Sequence, residues 1–188
     1  MLKIDTHAHY LPKTWPDLAA KYGDPRFPVI HHEDGRARIY KDGKFFREIW
    51  PKTWDPDERI ADYARFGVQV QVISTVPVMF SYWAKPQHAH DLHQALNDHM
   101  AEAVRDFPRH YAGIGTVPLQ SPRLAIQELE RCIDQLGLQG VQIGSHIGDW
   151  NLDAPELFDF FTAASELGAA ILVHPWDMMG TSSMPKYW

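Results

Sequence analysis

The sequence predicts an α/β fold built on a parallel sheet, and three observations carry that prediction. Five short runs rich in Val and Ile, bounded by Gly and Pro, read as buried strands. Helical stretches with marked ends fill the gaps between most of them. The order, strand then helix repeated, requires parallel neighbours joined by right-handed crossovers.

The elements follow in order. The first strand spans 2–9 and ends in Asp5-Thr6-His7-Ala8-His9. Residues 10–54 break the repeat: they hold Pro12, Pro16, Pro25, Pro28 and Pro51, and Asp42-Gly43 between two β-prone runs is a two-residue hairpin turn. This is a small β insertion after the first strand. A regular hairpin pairs Lys41 with Lys44, Tyr40 with Phe45, Ile39 with Phe46 and Arg38 with Arg47. Two facing arginines repel, so they either hold an anion or stand in solvent. The same register puts Lys41 on the face opposite Arg47.

Asp55-Pro56-Asp57-Glu58 opens a helix that Gly67 closes. A second strand spans 68–75. The loop 76–84 (VPVMFSYWA) is apolar and aromatic, suited to wall a pocket or to cover a partner subunit. A helix over 86–106 carries Ala89, Leu92, Leu96, Met100 and Val104 on one stripe. His88 and His99 lie beside that stripe, and His90 and His93 are expected in solvent. A third strand at 111–117 precedes a helix from Ser121-Pro122 to Gly137, which holds Cys132 as a packing residue. The fourth strand is 140–145, with His146 at its rim. A helix opened by Asp153 leads to the fifth strand, 170–174, ending at His174.

Composition narrows the function classes. The 188 residues carry 18 Lys plus Arg against 24 Asp plus Glu, a net charge of −6 that argues against nucleic acid as a partner. Apolar residues at 45% and charged residues at 22% place the chain among globular proteins. No apolar run reaches the ~18 residues of a membrane span. The single Cys and the lack of a secretory signal make a cytoplasmic location the expectation.

The eleven histidines are the outstanding number. Alternate residues of a strand share a face, so His7 and His9 point the same way, with Cα atoms roughly 6.5 Å apart. Both imidazoles can reach one ion. His174 also ends a strand. In a closed barrel the C-terminal ends of strands one and five face each other across the mouth, and three imidazoles would converge there. A five-stranded open sheet suits the length better, since a (β/α)8 barrel takes ~250 residues; the histidines favour the barrel.

The segments DTHAHYLPKTWPDL, YKDGKFFR, WDPDERI, ISTVPVMFSYWAKP, LGLQGVQIGSHIGDWNLDAPELF and ILVHPWDM together resemble the metal-dependent decarboxylase subgroup of the amidohydrolase superfamily. The resemblance covers essentially the whole chain. It implies an amidohydrolase-type (β/α)8 TIM barrel, here carried through about five strands as one incomplete domain over 1–188. It implies one catalytic zinc with His7, His9 and His174 as ligands, no organic cofactor, and Arg47, with Lys41, binding a substrate carboxylate. The implied reaction is non-oxidative decarboxylation of 2-amino-3-carboxymuconate 6-semialdehyde in the kynurenine branch of tryptophan catabolism. The family pattern also needs an Asp ligand on the eighth strand and a catalytic His after the sixth, both beyond residue 188. The 188 residues alone are therefore expected to be inactive, and a complete chain to form a homodimer. The same scaffold could instead support a metal-dependent hydrolase, or the piece could only bind metal.

Overall fold

A computed structural model describes residues 1–177. Five parallel strand positions run in chain order around an arc. The first is β1 (Ile4–His9). The insertion follows, with α1 (Leu18–Tyr22), β2 (Val29–Glu33), β3 (Arg36–Lys41) and β4 (Lys44–Ile49). Helix α2 (Pro56–Ala64) leads to β5 (Val70–Ser74), and α3 (Pro86–Asp106) leads to β6 (Tyr111–Gly113) and β7 (Gly115–Thr116). Helix α4 (Pro122–Glu130) runs on through a π turn, Arg131–Gln135, to β8 (Gly140–Gly144). A small ribbon of β9 (His146–Ile147) and β10 (Trp150–Asn151) precedes α5 (Phe158–Glu166) and β11 (Ala170–His174).

Strand β5 pairs in parallel with β1 and β6, and β8 pairs in parallel with β7 and β11. Segments β6 and β7 are one strand interrupted at Ile114, whose N–H donates to the Ile73 carbonyl. The third strand therefore hands the arc from one sheet to the next. Consecutive parallel neighbours are the order of a barrel wall; a doubly wound sheet reverses direction at its first strand.

Two of the local signals act as their chemistry requires, whereas Ser121 makes no capping bond and the α-helix expected from Asp153 begins at Phe158 after a 3₁₀ turn. Asp55 caps α2, accepting the N–H groups of Asp57 and Glu58, and Pro56 fills the position whose N–H has no partner. Asp42 and Gly43 both have positive φ, 58° and 68°, as the primed hairpin turn demands. The insertion has a third strand beyond the expected hairpin, because β2 pairs antiparallel with β3. The strands are also shorter than their apolar runs: Leu2 is exposed and outside β1.

Two apolar clusters fill the structure. One lies between the strand arc and helices α3, α4 and α5, around Ile73, Phe80, Leu129, Ile143 and Phe160. The other joins the insertion to the 76–84 loop and α3, around Leu11, Phe27, Ile39, Met79 and Leu92. Helix α3 is thus covered on more than one face. That corrects the expectation for His90 and His93: neither is in solvent. His90 lies against Glu128 of α4, Nε2 to carboxylate 3.1 Å, and His93 is fully buried. Neutral His can occupy such a site when its N–H finds a carbonyl, and His93 Nε2 donates to Met79 and Phe80 carbonyls at 3.2 and 3.0 Å. His88 stacks on Tyr22 and His99 on Tyr10. Cys132 is buried as packing. Among the described residues no helix is long and apolar enough to cross a membrane.

Candidate metal centre

Strand β1 contains one extra residue relative to β5, since Asp5 pairs with Gln71 but Ala8 with Ile73. The Asp5 carboxylate accepts the His7 N–H within that irregular stretch, at 3.2 Å. His7 and His9 still share a face: their Nε2 atoms lie 3.4 Å apart. His174, at the end of β11, comes to the same point. Its ring centroid is 4.9 Å from that of His7 and 5.2 Å from that of His9. One nitrogen from each of the three lies within 4.8 Å of the others.

Those spacings suit one ion. Nitrogens bonded at about 2.1 Å in a tetrahedral set stand about 3.4 Å apart. The tautomers agree as well. His9 Nδ1 is 2.9 Å from the Thr75 carbonyl and His174 Nδ1 is 2.7 Å from the Pro175 carbonyl. A carbonyl only accepts, so each Nδ1 carries a proton, and in the neutral ring each Nε2 keeps its lone pair. Burial, then the neighbouring charges of His7 and His174, lower the His9 pKa to about 4. The imidazole is therefore neutral, the form a metal requires.

A cavity of about 430 Å³ opens beside the triad, lined by His9, His174, Lys41, Arg47, Trp83 and Trp176 among others. A second hollow of about 320 Å³ lies on the His7 side and includes Arg47, Lys52 and Arg59. The 76–84 loop walls the first cavity through Val76, Pro77, Val78 and Trp83, while Met79 and Phe80 are fully buried behind it.

The hairpin corrects two expectations at once. Tyr40 pairs with Phe45, but Ile39 pairs with Arg47, so Phe46 is an extra residue in β4. Arg38 therefore faces Glu48, not Arg47, and bonds Glu48 and Glu33 at 3.3 and 2.9 Å. The offset removes a like-charge pair and supplies an opposite one. Arg47 now shares a face with Ile39 and Lys41, and both cations line the cavity. His146 bonds Ser145 Oγ at 3.3 Å and does not line either hollow.

Gln142, Ser74 and Thr75 form a buried polar group behind His9 that the sequence reading passed over. Its one available signal was a Gln in the otherwise apolar run GVQIG.

Comparison with known proteins agrees with this architecture. The amidohydrolase family profile matches residues 4–185. The chain is 53% identical over its whole length to the 2-amino-3-carboxymuconate-6-semialdehyde decarboxylase of Dictyostelium discoideum, and covers 52% of that protein. It is 34% identical to the decarboxylase of the same name from Caenorhabditis elegans, covering 59% of it. The chain thus spans about half the length of the curated relatives it matches. A dihydroxybenzoic acid decarboxylase from Polaromonas sp. JS666, solved with bound manganese and an inhibitor, superposes with a TM-score of 0.71 at 19% identity, over 99% of this chain and 53% of the other. A parallel strand arc in chain order, three histidines at its C-terminal rim and a family match over nearly every residue lead to one conclusion: this chain belongs to the amidohydrolase family.

Proposed function

We propose that this chain supplies the metal-binding and carboxylate-binding part of a zinc-dependent carboxy-lyase acting on 2-amino-3-carboxymuconate 6-semialdehyde. The observation that carries the reading is the meeting of three imidazoles beside a cavity that two of them, His9 and His174, line together with Lys41 and Arg47. The names of the Dictyostelium and Caenorhabditis relatives support the substrate.

His7, His9 and His174 would hold the ion. A bound divalent ion supplies Lewis acidity, polarising a substrate oxygen. Zinc suits an imidazole set, and manganese is the competitor to test. Arg47 offers a planar fork that can hold a carboxylate by two parallel hydrogen bonds and set its plane. Lys41 adds a point charge on the same side. Trp83 and Trp176 offer apolar area to a conjugated substrate, as the walls of small-molecule sites do. Loss of CO2 from an unsaturated carbon is helped by fixing the carboxylate out of conjugation and by protonating that carbon. The proton donor is assigned to none of residues 1–177. A complete chain would be a homodimer.

Metal analysis tests the first half of the reading. The chain should bind one zinc, and replacing His7, His9 or His174 by Ala should sharply reduce that content. Retention of full metal content after all three single substitutions overturns it. CO2 release without water uptake, followed on a full-length protein that contains this chain and is supplied with the semialdehyde, separates a decarboxylase from a hydrolase.

A further inference from the structure

We infer that Gln142 is a positioning residue for the metal site, acting on His9 through the Thr75 carbonyl. The inference rests on the reading of His9 as a ligand. Two donors from two strands meet on that one carbonyl: His9 Nδ1 from β1 at 2.9 Å and Gln142 Nε2 from β8 at 3.0 Å. Thr75 follows the last residue of β5, where the chain leaves the sheet for the 76–84 loop. Gln142 reaches it past the third strand, which lies between β5 and β8.

The amide orientation is determined by its partners. The Thr75 carbonyl can only accept, so the NH₂ side of Gln142 faces it. The Oε1 side then faces Ser74, whose hydroxyl donates at 2.7 Å. All members are buried: Gln142 has no exposed surface and Ser74 has 1%. A buried amide costs free energy unless it is bonded, and here it sits between Val141 and Ile143 on an apolar strand. Both ends of this amide are bonded, and the network they form ends on a metal-facing histidine.

The physical consequence is a fixed tautomer and a fixed ring. With Gln142 in place, the Thr75 carbonyl cannot follow the loop that begins at the next residue. His9 then keeps its proton on Nδ1 and its Nε2 lone pair toward His7 and His174. Without it, the carbonyl loses its second anchor and His9 gains rotational freedom. Partners of this kind behind a metal-binding histidine alter affinity by about 10- to 100-fold.

Cobalt(II), whose visible spectrum reports ligand geometry, is the probe. Co²⁺ affinity and spectrum are measured on the wild-type chain and on His9→Ala, Gln142→Met, Ser74→Ala and Ile143→Ala, each shown folded by circular dichroism. Gln142→Met keeps the side-chain volume and removes both hydrogen bonds. It should weaken Co²⁺ binding by about tenfold or more and alter the spectrum. Ser74→Ala should shift both in the same direction by less. Ile143→Ala weakens the same strand without touching the network, and should keep wild-type affinity. An unchanged affinity and spectrum in Gln142→Met overturns the inference, as does an equal loss in Ile143→Ala. Should Gln142→Met not fold, an unchanged Ser74→Ala overturns it. A wild-type chain that takes no Co²⁺, or a His9→Ala chain that binds it equally well, sinks the ligand reading and this inference together.

Discussion

Arg47 lies opposite Ile39 across the insertion hairpin, one position away from where a regular ladder would put it, and this offset places its guanidinium in the same cavity as Lys41 and His9. A bulge changes the face of every residue beyond it. Phe46 is the residue that makes the difference.

The bulge can be removed. Deleting Phe46 should make the ladder regular and yet keep Arg47 opposite Ile39, still facing the cavity. Binding of a planar unsaturated dicarboxylate, followed by calorimetry on the metal-loaded chain, should then stay close to wild type, whereas it should fall in Arg47→Met. A lost charge-assisted bond is worth about 1.5–3 kcal/mol, or roughly 10- to 100-fold in affinity. Arg38→Met, which loses only contacts to Glu33 and Glu48, should bind like wild type.

His93 makes stability depend on pH. Burial lowers its pKa to about 4 from 6.5, against a smaller raising effect of its bonds to the Met79 and Phe80 carbonyls. Glu128 also raises it and His90 lowers it. The unfolded chain therefore binds a proton between these values that the folded chain refuses. The stability associated with neutral His93 is complete above pH 6.5, declines as pH falls, and is gone below about 4. The contribution is about 3 kcal/mol. Urea unfolding at a series of pH values should show that slope in wild type and a shallower one in His93→Gln. Equal slopes would contradict the assignment.

Glu128 is a fully buried carboxylate with four close contacts. Asn97 Nδ2 and Arg131 Nη2 each reach one oxygen at 2.7 Å, and Arg131 Nε and His90 Nε2 reach the other at 3.0 and 3.1 Å. Glu128→Ala would strand these groups at the α3–α4 contact and should cost about 3–5 kcal/mol. Zinc affinity of the fraction that remains folded should not change, because none of these groups touches the histidine triad. A parallel loss of zinc affinity would show that the network reaches the metal site.

Gly140 begins β8 where the backbone of β11 passes closest. A Cβ there would sit 1.9 Å from the Ala170 carbonyl oxygen, a clash with main chain that no side-chain movement relieves. Gly140→Ala should therefore displace β11 and, with it, His174. Both thermal stability and zinc stoichiometry should drop. Gly148→Ala, where a Cβ meets nothing within 4 Å but a φ of 56° strains any side chain, should cost some stability and leave zinc binding intact.

Much of this is legible in the sequence alone. The strand–helix alternation, the cap at Asp55, the Asp42-Gly43 turn and the spacing of His7 and His9 are local facts, and local chemistry decided them. The burial of His90 and His93 was not legible, because helical periodicity shows that a helix has an apolar face but not how many neighbours cover it. Gln142 was equally hidden: a lone polar residue in a strand discloses nothing until its partners 67 and 68 positions away are known.

Residue types and short-range spacing were enough to determine the parallel α/β class, the order of its elements and which imidazoles stood at strand ends. Tertiary structure alone decided that β1 and β11 curve toward each other closely enough for those imidazoles to meet, and that Phe46 stands unpaired in the ladder so that Arg47 faces inward. The reason is that strand propensity and turn chemistry act over a few residues, whereas register and curvature are set by which backbones pair across the sheet and by what packs against them.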